Sequence, residues 1–205
     1  MGTAQRLARA SGIQRFPNPR LDLFICKRFL DEATCAAIIE RIDARRRPST
    51  IADDSGIANY RTSETCDLDS NDPVIGDVDR RICDLLGIPP ENGEPIQGQR
   101  YAVGQEFKAH TDTFNPGGYD FYVHTEQGGQ RTWTAMLYLN EPEEGGATRF
   151  KMINKTIHPE TGKLLMWKNL RPDGEPNEAT LHHGMKVRSG TKYIITKWFR
   201  ERPRC

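Results

Sequence analysis

The chain has 205 residues and a formal net charge of +1, from 29 basic and 28 acidic side chains. Hydrophobic residues make up 36% of the sequence and charged residues 28%, proportions typical of one folded domain and unlike those of a disordered chain. The apolar runs are only a few residues long, so no membrane-spanning helix is predicted. Residues 1–14 lack an apolar core, so no secretory signal is predicted. The near-neutral charge gives no electrostatic reason to expect membrane binding. The near-neutral charge also argues against non-specific binding to nucleic acid.

Five cysteines are spread along the chain, and no C-x-x-C pair occurs among them. An odd number and wide spacing predict free thiols rather than a disulfide framework or a cysteine zinc site. Because free thiols persist in reducing compartments, the sequence predicts a cytoplasmic location.

The N-terminal third is predicted to be helical, and two helices are predicted ahead of the β-rich half. Asp31 is a candidate N-cap for the first helix, which runs to about Arg46 with its apolar residues on one face. The second starts at Asp72 and Pro73, and Gly87 is a natural C-terminal stop.

From about Glu94 onwards, short apolar runs alternate with clusters of glycine, proline and asparagine. The runs lie near residues 96–107, 132–140, 147–152, 163–167, 180–182 and 192–200. Many short strands separated by turns predict a sandwich or a jelly-roll barrel. The fold class predicted is therefore α+β, with helices first and a β-rich half after them.

One pair of residues in this half has the spacing of metal ligands. His110 and Asp112 form an H-x-D pair, and residues i and i+2 of a strand project from the same face. A further histidine from another strand would complete a set of two imidazoles and one carboxylate, which suits oxygen-activating iron(II) enzymes. H-x-D alone is a weak signal, because the pair is common by chance.

The surrounding motifs make the signal specific, because together they resemble the prolyl 4-hydroxylase family. Residues 101–112 match the pattern Y-x-x-G-Q-x-[YF]-x-x-H-x-D. Further similar segments are GGQR-x-x-T at 128–134, EEGGAT-x-F at 143–150, LRPDG at 170–174, LHHG at 181–184, G-x-K at 190–192 and TKW at 196–198. Upstream, residues 18–20, 29–30 and 61–63 also resemble the family.

The resemblance implies a double-stranded β-helix (jelly-roll) core with flanking N-terminal helices. It covers about residues 18–200, so we predict an N-terminal extension at 1–17 and a dioxygenase domain at 18–205. It also implies Fe(II) as cofactor and 2-oxoglutarate and O2 as co-substrates, with ascorbate as a candidate reductant.

The resemblance implies His110 and Asp112 as the first two iron ligands. The third ligand is His182 or His183, since neighbours on a strand face opposite ways and only one can coordinate. The family pattern L-H-A-G favours His182 and places His183 where a small residue usually stands. A second imidazole there is a candidate wall of the substrate channel.

Further positions match family residues that hold 2-oxoglutarate. Lys192, in the G-x-K segment, is implied as the partner of the distal carboxylate, which needs an opposite charge when it is buried in a barrel. Tyr101 and Thr148 match positions whose hydroxyl groups bond the same carboxylate. Thr134 is predicted to line that pocket with Tyr138, because the two share one strand face.

Three residues match positions that face the substrate in the family: Arg61, Arg131 and Trp198. Phe107 departs from the family, since a tyrosine often stands three residues before the first ligand. The loop at residues 115–127 is predicted to be a lid.

The sequence thus predicts an Fe(II)- and 2-oxoglutarate-dependent dioxygenase that hydroxylates an unactivated C–H bond and releases succinate. Proline in a peptide or protein is the favoured substrate. One alternative is the hydroxylation of a free amino acid or another small molecule. A second is a non-catalytic, cupin-like domain with a closed zinc site. The protein is predicted to be a monomer or a homodimer.

Overall fold

The structure, a computed structural model, describes residues 1–49, 60–118 and 121–204. Its helices are α1 (Thr3–Arg9), α2 (Glu32–Arg45), α3 (Pro73–Leu86) and α4 (Phe121–Glu126). Its strands are β1 (Ile13–Arg15), β2 (Leu23–Cys26), β3 (Arg47–Pro48), β4 (Glu64–Asp67), β5 (Gln97–Tyr101), β6 (Phe107–His110), β7 (Arg131–Tyr138), β8 (Glu144–Gly145), β9 (Thr148–Phe150), β10 (Lys155–Ile157), β11 (Leu164–Lys168), β12 (His182–Gly184), β13 (Val187–Ser189) and β14 (Lys192–Arg200).

The strands form two facing sheets, in which every pair is antiparallel. The major sheet has the order β1-β2-β11-β7-β14-β5-β4-β3, and the minor sheet has the order β10-β9-β12-β6. A two-stranded ribbon of β13 and β8 completes the β structure of the described residues. This arrangement confirms the predicted jelly-roll core.

Strand β7 separates two hydrophobic cores because its side chains alternate between its faces. Trp133, Ala135 and Leu137 pack in the core under the helices, whereas Met136 and Tyr138 pack in the core between the two sheets. Side chains on one face of the major sheet therefore support the helices. Those on the other face point into the jelly roll, where the candidate site lies.

Both predicted helices are confirmed with their end signals. Asp31 accepts a hydrogen bond from the backbone N–H of Thr34 at the start of α2. Asp72 accepts from Val74 and Ile75 at the start of α3, and Gly87 ends that helix with φ of 67°. Left-handed backbone of this kind favours glycine, because glycine has no Cβ.

The prediction that the N-terminal third is helical is wrong in part. Residues Leu23–Cys26 form β2 inside the major sheet, between β1 and β11. The predicted run at residues 96–107 is also two strands, β5 and β6, which belong to different sheets. The chain turns between them at Gly104, whose φ is +85°, so one apolar run supplies both walls of the site.

Helix α1 lies within the predicted N-terminal extension and packs on the helix layer. Leu7 is fully buried in the core, and the guanidinium of Arg6 donates to the carbonyl oxygens of Asp84 and Leu85 at the end of α3. The predicted division between residues 1–17 and 18–205 stays a prediction. None of the helices in the described part of the chain has the length and apolar composition needed to cross a membrane.

Candidate active site

Three side chains that can hold a metal ion converge where β6 and β12 pair. His110 ends β6 and lies opposite His182, the first residue of β12. Asp112 joins them, and the ligand atoms of the three side chains lie within 4.8 Å of one another. The strand geometry expected for the H-x-D pair is wrong in one detail. β6 ends at His110, and Asp112 reaches the group from the bend that follows.

Backbone carbonyl groups orient both imidazole rings. Nδ1 of His110 lies 2.8 Å from the carbonyl oxygen of Lys108, and Nδ1 of His182 lies 2.9 Å from that of Thr180. Because a carbonyl oxygen only accepts hydrogen bonds, each Nδ1 carries the hydrogen and each Nε2 keeps its lone pair. Contacts of this kind fix the tautomer of metal-binding histidines. The two Nε2 atoms are therefore the candidate ligands.

The protonation states of these residues also suit a divalent cation. Burial, and then the proximity of the His182 imidazole, lowers the pKa of His110 to about 3, so its imidazole is neutral at pH 7. Burial by itself raises the pKa of Asp112, but the neighbouring imidazoles of His182 and His110 and the hydrogen bond from Thr134 outweigh it, and the net shift is downward. A neutral imidazole and an ionised carboxylate are the forms that bind metal.

His183 faces the opposite way from His182. Its Nε2 lies 2.9 Å from a carboxylate oxygen of Glu106, and its side chain lines neither of the two spaces described below. The idea that this imidazole forms a wall of the substrate channel is therefore wrong. The physical reason is the strand period of two, which turns the neighbour of an inward residue outward.

A narrow inner cavity leads from the three candidate ligands to Lys192. Its walls come from strands of both sheets and include Gln99, Tyr101, Thr148, Lys192 and Thr196. Tyr101, Thr148 and Lys192 are the residues that sequence motifs predict for this cavity, whereas no motif predicts Gln99 or Thr196 there. Both side chains are less than 6% exposed. Each lies two residues from another inward-facing residue of its strand, and this period of two is the sequence signal that could have identified them.

Lys192 is an unusual buried cation. Its side chain is 1% exposed, and its Nζ lies 5.1 and 5.4 Å from the ring centres of Tyr101 and Tyr138. No carboxylate of the described residues offsets the burial, which lowers the pKa of this amine to about 7. Burying an ammonium group without an opposite charge is costly. The inner cavity therefore fits a ligand that has a carboxylate at one end and metal-binding oxygens at the other.

Hydroxyl groups near Lys192 add to this fit. The Tyr101 hydroxyl donates to the side-chain oxygen of Gln99 over 2.7 Å, and the Tyr138 hydroxyl donates to Oγ1 of Thr148 over 2.6 Å. Because Thr148 accepts from Tyr138, its own hydrogen is available to a ligand in the cavity.

Thr134 does not line the inner cavity, although it was expected there with Tyr138. Its side chain is fully buried, and its hydroxyl donates to Oδ2 of Asp112 over 2.7 Å. The hydroxyl oxygen of Thr134 accepts a hydrogen bond from the side-chain nitrogen of Asn169. Thr134 therefore contacts a candidate metal ligand instead of the lysine end of the cavity.

A larger outer groove of about 810 Å³ opens from the same ligands to the surface. Arg61, Arg131 and Trp198 all line it, together with His110 and Asp112. Since the two candidate ligands also line the inner cavity, the two spaces meet at the candidate metal site. A substrate in the groove would therefore lie next to the metal.

Arg131 is held rigidly in the wall of the groove. Its guanidinium makes two 2.7 Å hydrogen bonds to the carboxylate of Glu94. The same group lies 4.0 Å from the ring centre of Trp198 and 4.8 Å from that of Phe114. Bidentate pairing and aromatic stacking use Arg131 for its planar shape as well as its charge. Glu94 cannot be predicted from the sequence, since no short motif links it to Arg131.

Arg61 lies in the same wall of the groove, beside Phe107. Its guanidinium donates to Ser63 over 3.1 Å and to the side-chain oxygen of Gln97 over 2.8 Å. It lies 4.9 Å from the ring centre of Phe107, and that ring stacks at 3.6 Å on the imidazole of His110. Phe107 thus holds the ligand ring by stacking.

The described part of the predicted lid borders the outer groove. Phe121 and His124 of α4 line it, and the His124 ring stacks on Phe114 at 4.9 Å. Arg200 donates to the carbonyl oxygens of His124 and Gln127 and thereby ties this segment to β14. Residues 119 and 120 of the lid lie outside the described residues, and its closing role stays a prediction.

Comparisons with known proteins agree with this geometry. Residues 96–200 match the model of the 2OG-Fe(II) oxygenase superfamily. A probable prolyl 4-hydroxylase 3 of Arabidopsis thaliana is 30% identical over 202 residues, which cover 85% of this chain and 68% of that protein. The chain belongs to the prolyl 4-hydroxylase family. It is accordingly a 2-oxoglutarate-dependent dioxygenase, and Fe(II), 2-oxoglutarate and O2 are the requirements of that superfamily.

Solved structures of prolyl 4-hydroxylase relatives have the same fold. A viral collagen prolyl hydroxylase from Paramecium Bursaria Chlorella virus-1, in its 2OG complex, aligns with a TM-score of 0.68 and 26% identity over 87% of this chain and 95% of that one. A prolyl hydroxylase from Trichoplax adhaerens, in complex with a hypoxia inducible factor peptide fragment, aligns with a TM-score of 0.66 and 14% identity over 97% of this chain and 87% of that one. This last likeness concerns the fold alone.

The chain spans about two thirds of the length of the first plant prolyl 4-hydroxylases that it matches, 66% of two of them. Within the described residues, the metal-binding group has three members and no fourth protein ligand. A closed zinc site of four ligands, as in the cupin-like alternative, is therefore not favoured.

Proposed function

We propose that this chain hydroxylates proline in a peptide or protein. The observation that carries the proposal is the junction of two spaces at His110 and Asp112. The inner cavity ends at the buried Lys192, and the outer groove is wide and open. One space suits a small dicarboxylate and the other suits an extended chain, as a hydroxylase with a macromolecular substrate requires.

His110, Asp112 and His182 would hold the iron, and Lys192 would pair with the distal carboxylate of 2-oxoglutarate. Tyr101 and Thr148 would supply hydroxyl groups to that carboxylate. When bound, the iron and 2-oxoglutarate supply oxidising chemistry in which one oxygen atom of O2 enters the substrate and the other enters succinate. The remaining task of the protein is to orient the substrate and to keep other hydrogen donors away.

The outer groove supports a peptide over a small molecule. Its volume of about 810 Å³ is near the upper end for small-molecule sites, and its wall carries Trp198, Phe114 and three arginines. Proline-rich chains are stiff before they bind and dock well on aromatic surfaces. Among the relatives, the viral enzyme is described as a collagen prolyl hydroxylase and the Trichoplax enzyme was solved with a peptide.

Release of succinate with different substrates tests this function. The protein with Fe(II) and 2-oxoglutarate is incubated with proline-rich peptides, with the same peptides carrying alanine for each proline, and with free proline. We expect only the proline-rich peptides to raise succinate release well above the rate without substrate. If free proline stimulates release and no peptide does, the chain is an amino-acid hydroxylase.

Loss of the Arg131 guanidinium is expected to weaken peptide use. Hydrogen bonds that involve a charged group contribute about 1.5–3 kcal/mol, so we expect kcat/KM for the peptide to fall roughly tenfold to a hundredfold. Arg131→Ala alone would leave Glu94 buried without its main partner, which is destabilising. The double variant Glu94→Gln/Arg131→Gln removes both charges and is the better test.

Arg149→Ala is the matched control for Arg131. Arg149 is exposed on β9 and lines neither the cavity nor the groove. Peptide kinetics of this variant should equal those of the wild type. Equal kinetics for the Arg131 variants as well would remove Arg131 from the substrate site.

Several finer points belong to this proposal. The four described cysteines are free, and burial raises the pKa of Cys35 and Cys83 to about 11. Protonated, buried thiols support a reducing, cytoplasmic location. We further propose that ascorbate is the reductant and that the protein is a monomer or a homodimer. The dioxygenase domain is proposed to start at residue 18.

A further inference from the structure

Thr134 and Asn169 form a buried chain of hydrogen bonds that ends on Asp112. Thr134 Oγ1 lies 2.7 Å from Oδ2 of Asp112, and the side-chain nitrogen of Asn169 lies 2.9 Å from Thr134 Oγ1. Thr134 and Asn169 are completely buried, and Asp112 is 6% exposed. The three side chains therefore act on one another without competition from bulk water.

The donor and the acceptor of each hydrogen bond follow from the chemistry of the three side chains. An ionised carboxylate only accepts hydrogen bonds, so the single hydroxyl hydrogen of Thr134 must point to Asp112. Thr134 then has only lone pairs to offer to Asn169, and the amide must donate through its nitrogen. Donation from Asn169 polarises the hydroxyl and strengthens its bond to the carboxylate.

The backbone fixes both residues independently of the ligands. Thr134 lies in the middle of the major sheet, with Trp167 of β11 and Trp198 of β14 as its register partners. Asn169 directly follows β11, where its N–H donates to the carbonyl oxygen of Thr132 over 2.8 Å. Its own carbonyl oxygen accepts from the N–H of Asn177, also over 2.8 Å. Neither backbone segment can move without breaking strand pairing at Thr134 or these two loop hydrogen bonds at Asn169.

The hydrogen bonds from Thr134 and Asn169 leave the two oxygens of Asp112 in different surroundings. Oδ2 is taken by Thr134, whereas Oδ1 lies 3.8 Å from Nε2 of His110, on the side of the candidate metal site. A carboxylate held in this way offers one oxygen to a metal. A carboxylate that used both oxygens would take up one more metal position and so compete with 2-oxoglutarate and O2, which need the positions that the protein leaves open.

We propose that Thr134 and Asn169 are positioning residues that hold Asp112 as a one-oxygen metal ligand. The inference rests on the proposed function in that it takes His110, Asp112 and His182 as the metal site. It gives Thr134 a role in metal binding instead of in 2-oxoglutarate binding.

Binding of Mn(II) alone, measured by titration calorimetry, tests the role without any turnover. Thr134→Val keeps the shape of the side chain and removes the hydroxyl, whereas Thr134→Ser keeps the hydroxyl and removes a methyl group. Loss of a hydrogen bond to a metal ligand typically weakens metal binding about 10- to 100-fold. We expect a loss of that size for Thr134→Val, near-normal binding for Thr134→Ser, and a smaller loss for Asn169→Leu.

Near-normal Mn(II) binding by Thr134→Val together with weakened binding by Thr134→Ser would indicate a packing role, because valine preserves packing better than serine does. Thr132→Val is the matched control, since Thr132 lies on the same strand and its hydroxyl donates to the backbone oxygen of Phe199. Its Mn(II) affinity should be unchanged. If Thr134→Val fails to fold, Asn169→Leu decides by comparison with Thr132→Val: weaker binding supports the proposal, and equal binding overturns it.

His110→Ala separates this inference from the proposed function. If wild-type protein and His110→Ala bind Mn(II) equally, the metal site itself is wrong. If His110→Ala loses binding while Thr134→Val and Asn169→Leu bind like the wild type, the metal site stands and the positioning role is overturned.

Discussion

Alanine at position 110, 112 or 182 is expected to abolish 2-oxoglutarate turnover. His110, Asp112 and His182 are the only group of three or more metal-ligating side chains found among the described residues. Their two imidazoles are oriented by backbone carbonyl groups, and the carboxylate is oriented by Thr134. Removing one of three ligands leaves too few to retain the iron. Succinate release at saturating Fe(II) and 2-oxoglutarate is the measurement.

His183→Ala is the matched control, because His183 is the sequence neighbour of a candidate ligand and faces Glu106 instead. This variant should retain a substantial part of the turnover. An inactive His183→Ala protein together with an active His182→Ala protein would shift the ligand assignment by one residue and contradict the structure.

Replacement of Lys192 by alanine is expected to weaken 2-oxoglutarate binding by roughly two to three decades or more. Lys192 is buried, and no carboxylate of the described residues pairs with it. In the complex the distal carboxylate of 2-oxoglutarate would become its partner. Breaking a buried charge pair costs about 3–5 kcal/mol, and each 1.4 kcal/mol is a tenfold change in affinity. Calorimetry on the Mn(II)-loaded protein measures the loss.

Lys163→Ala is the control for loss of a buried lysine. Lys163 is 4% exposed, but it pairs with Glu160 and donates to the carbonyl oxygen of His158. Its loss should lower the free energy of unfolding without changing the affinity for 2-oxoglutarate. An unchanged affinity in Lys192→Ala would mean that another residue anchors the carboxylate.

The same pairing predicts the sign of a pH effect. The pKa of Lys192 without ligand is about 7, lowered by burial, and only the protonated amine can pair with a carboxylate. Burial also raises the pKa of Tyr101 and of Tyr138, so both phenols stay neutral in this range. Affinity for 2-oxoglutarate should therefore fall as the pH rises above 7, approaching about tenfold per pH unit.

The parts of the fold predicted from sequence depend on local signals. Asp31, Asp72 and Gly87 mark helix ends by hydrogen bonds within a few residues, and the alternation in β7 is visible in eight consecutive residues. Strand β2 was missed because its four apolar residues have no period that separates a strand from a helix. Its place is set by pairing with β11, about 140 residues away along the chain.

The candidate site likewise has residues that local motifs predict and residues that they do not. His110, Asp112, His182 and Lys192 lie in motifs whose spacing can be read from the chain. The partners of these residues cannot be read so, because Asn169 reaches Thr134 through the register of β11 with β7. Glu94 reaches Arg131 across 37 positions. Thr134 was assigned to the wrong end of the site because a shared strand face does not distinguish the metal from the lysine.

Mass spectrometry of a proline-rich peptide, after reaction under heavy-isotope O2, tests the central claim most directly. Wild-type protein with Fe(II) and 2-oxoglutarate should add one heavy oxygen atom to a proline residue, with one succinate formed for each modified proline. His182→Ala protein should leave the peptide unmodified. Unmodified peptides with the wild-type protein, alongside succinate release driven by free proline or another small molecule, would contradict the proposal that this chain hydroxylates proline in peptides.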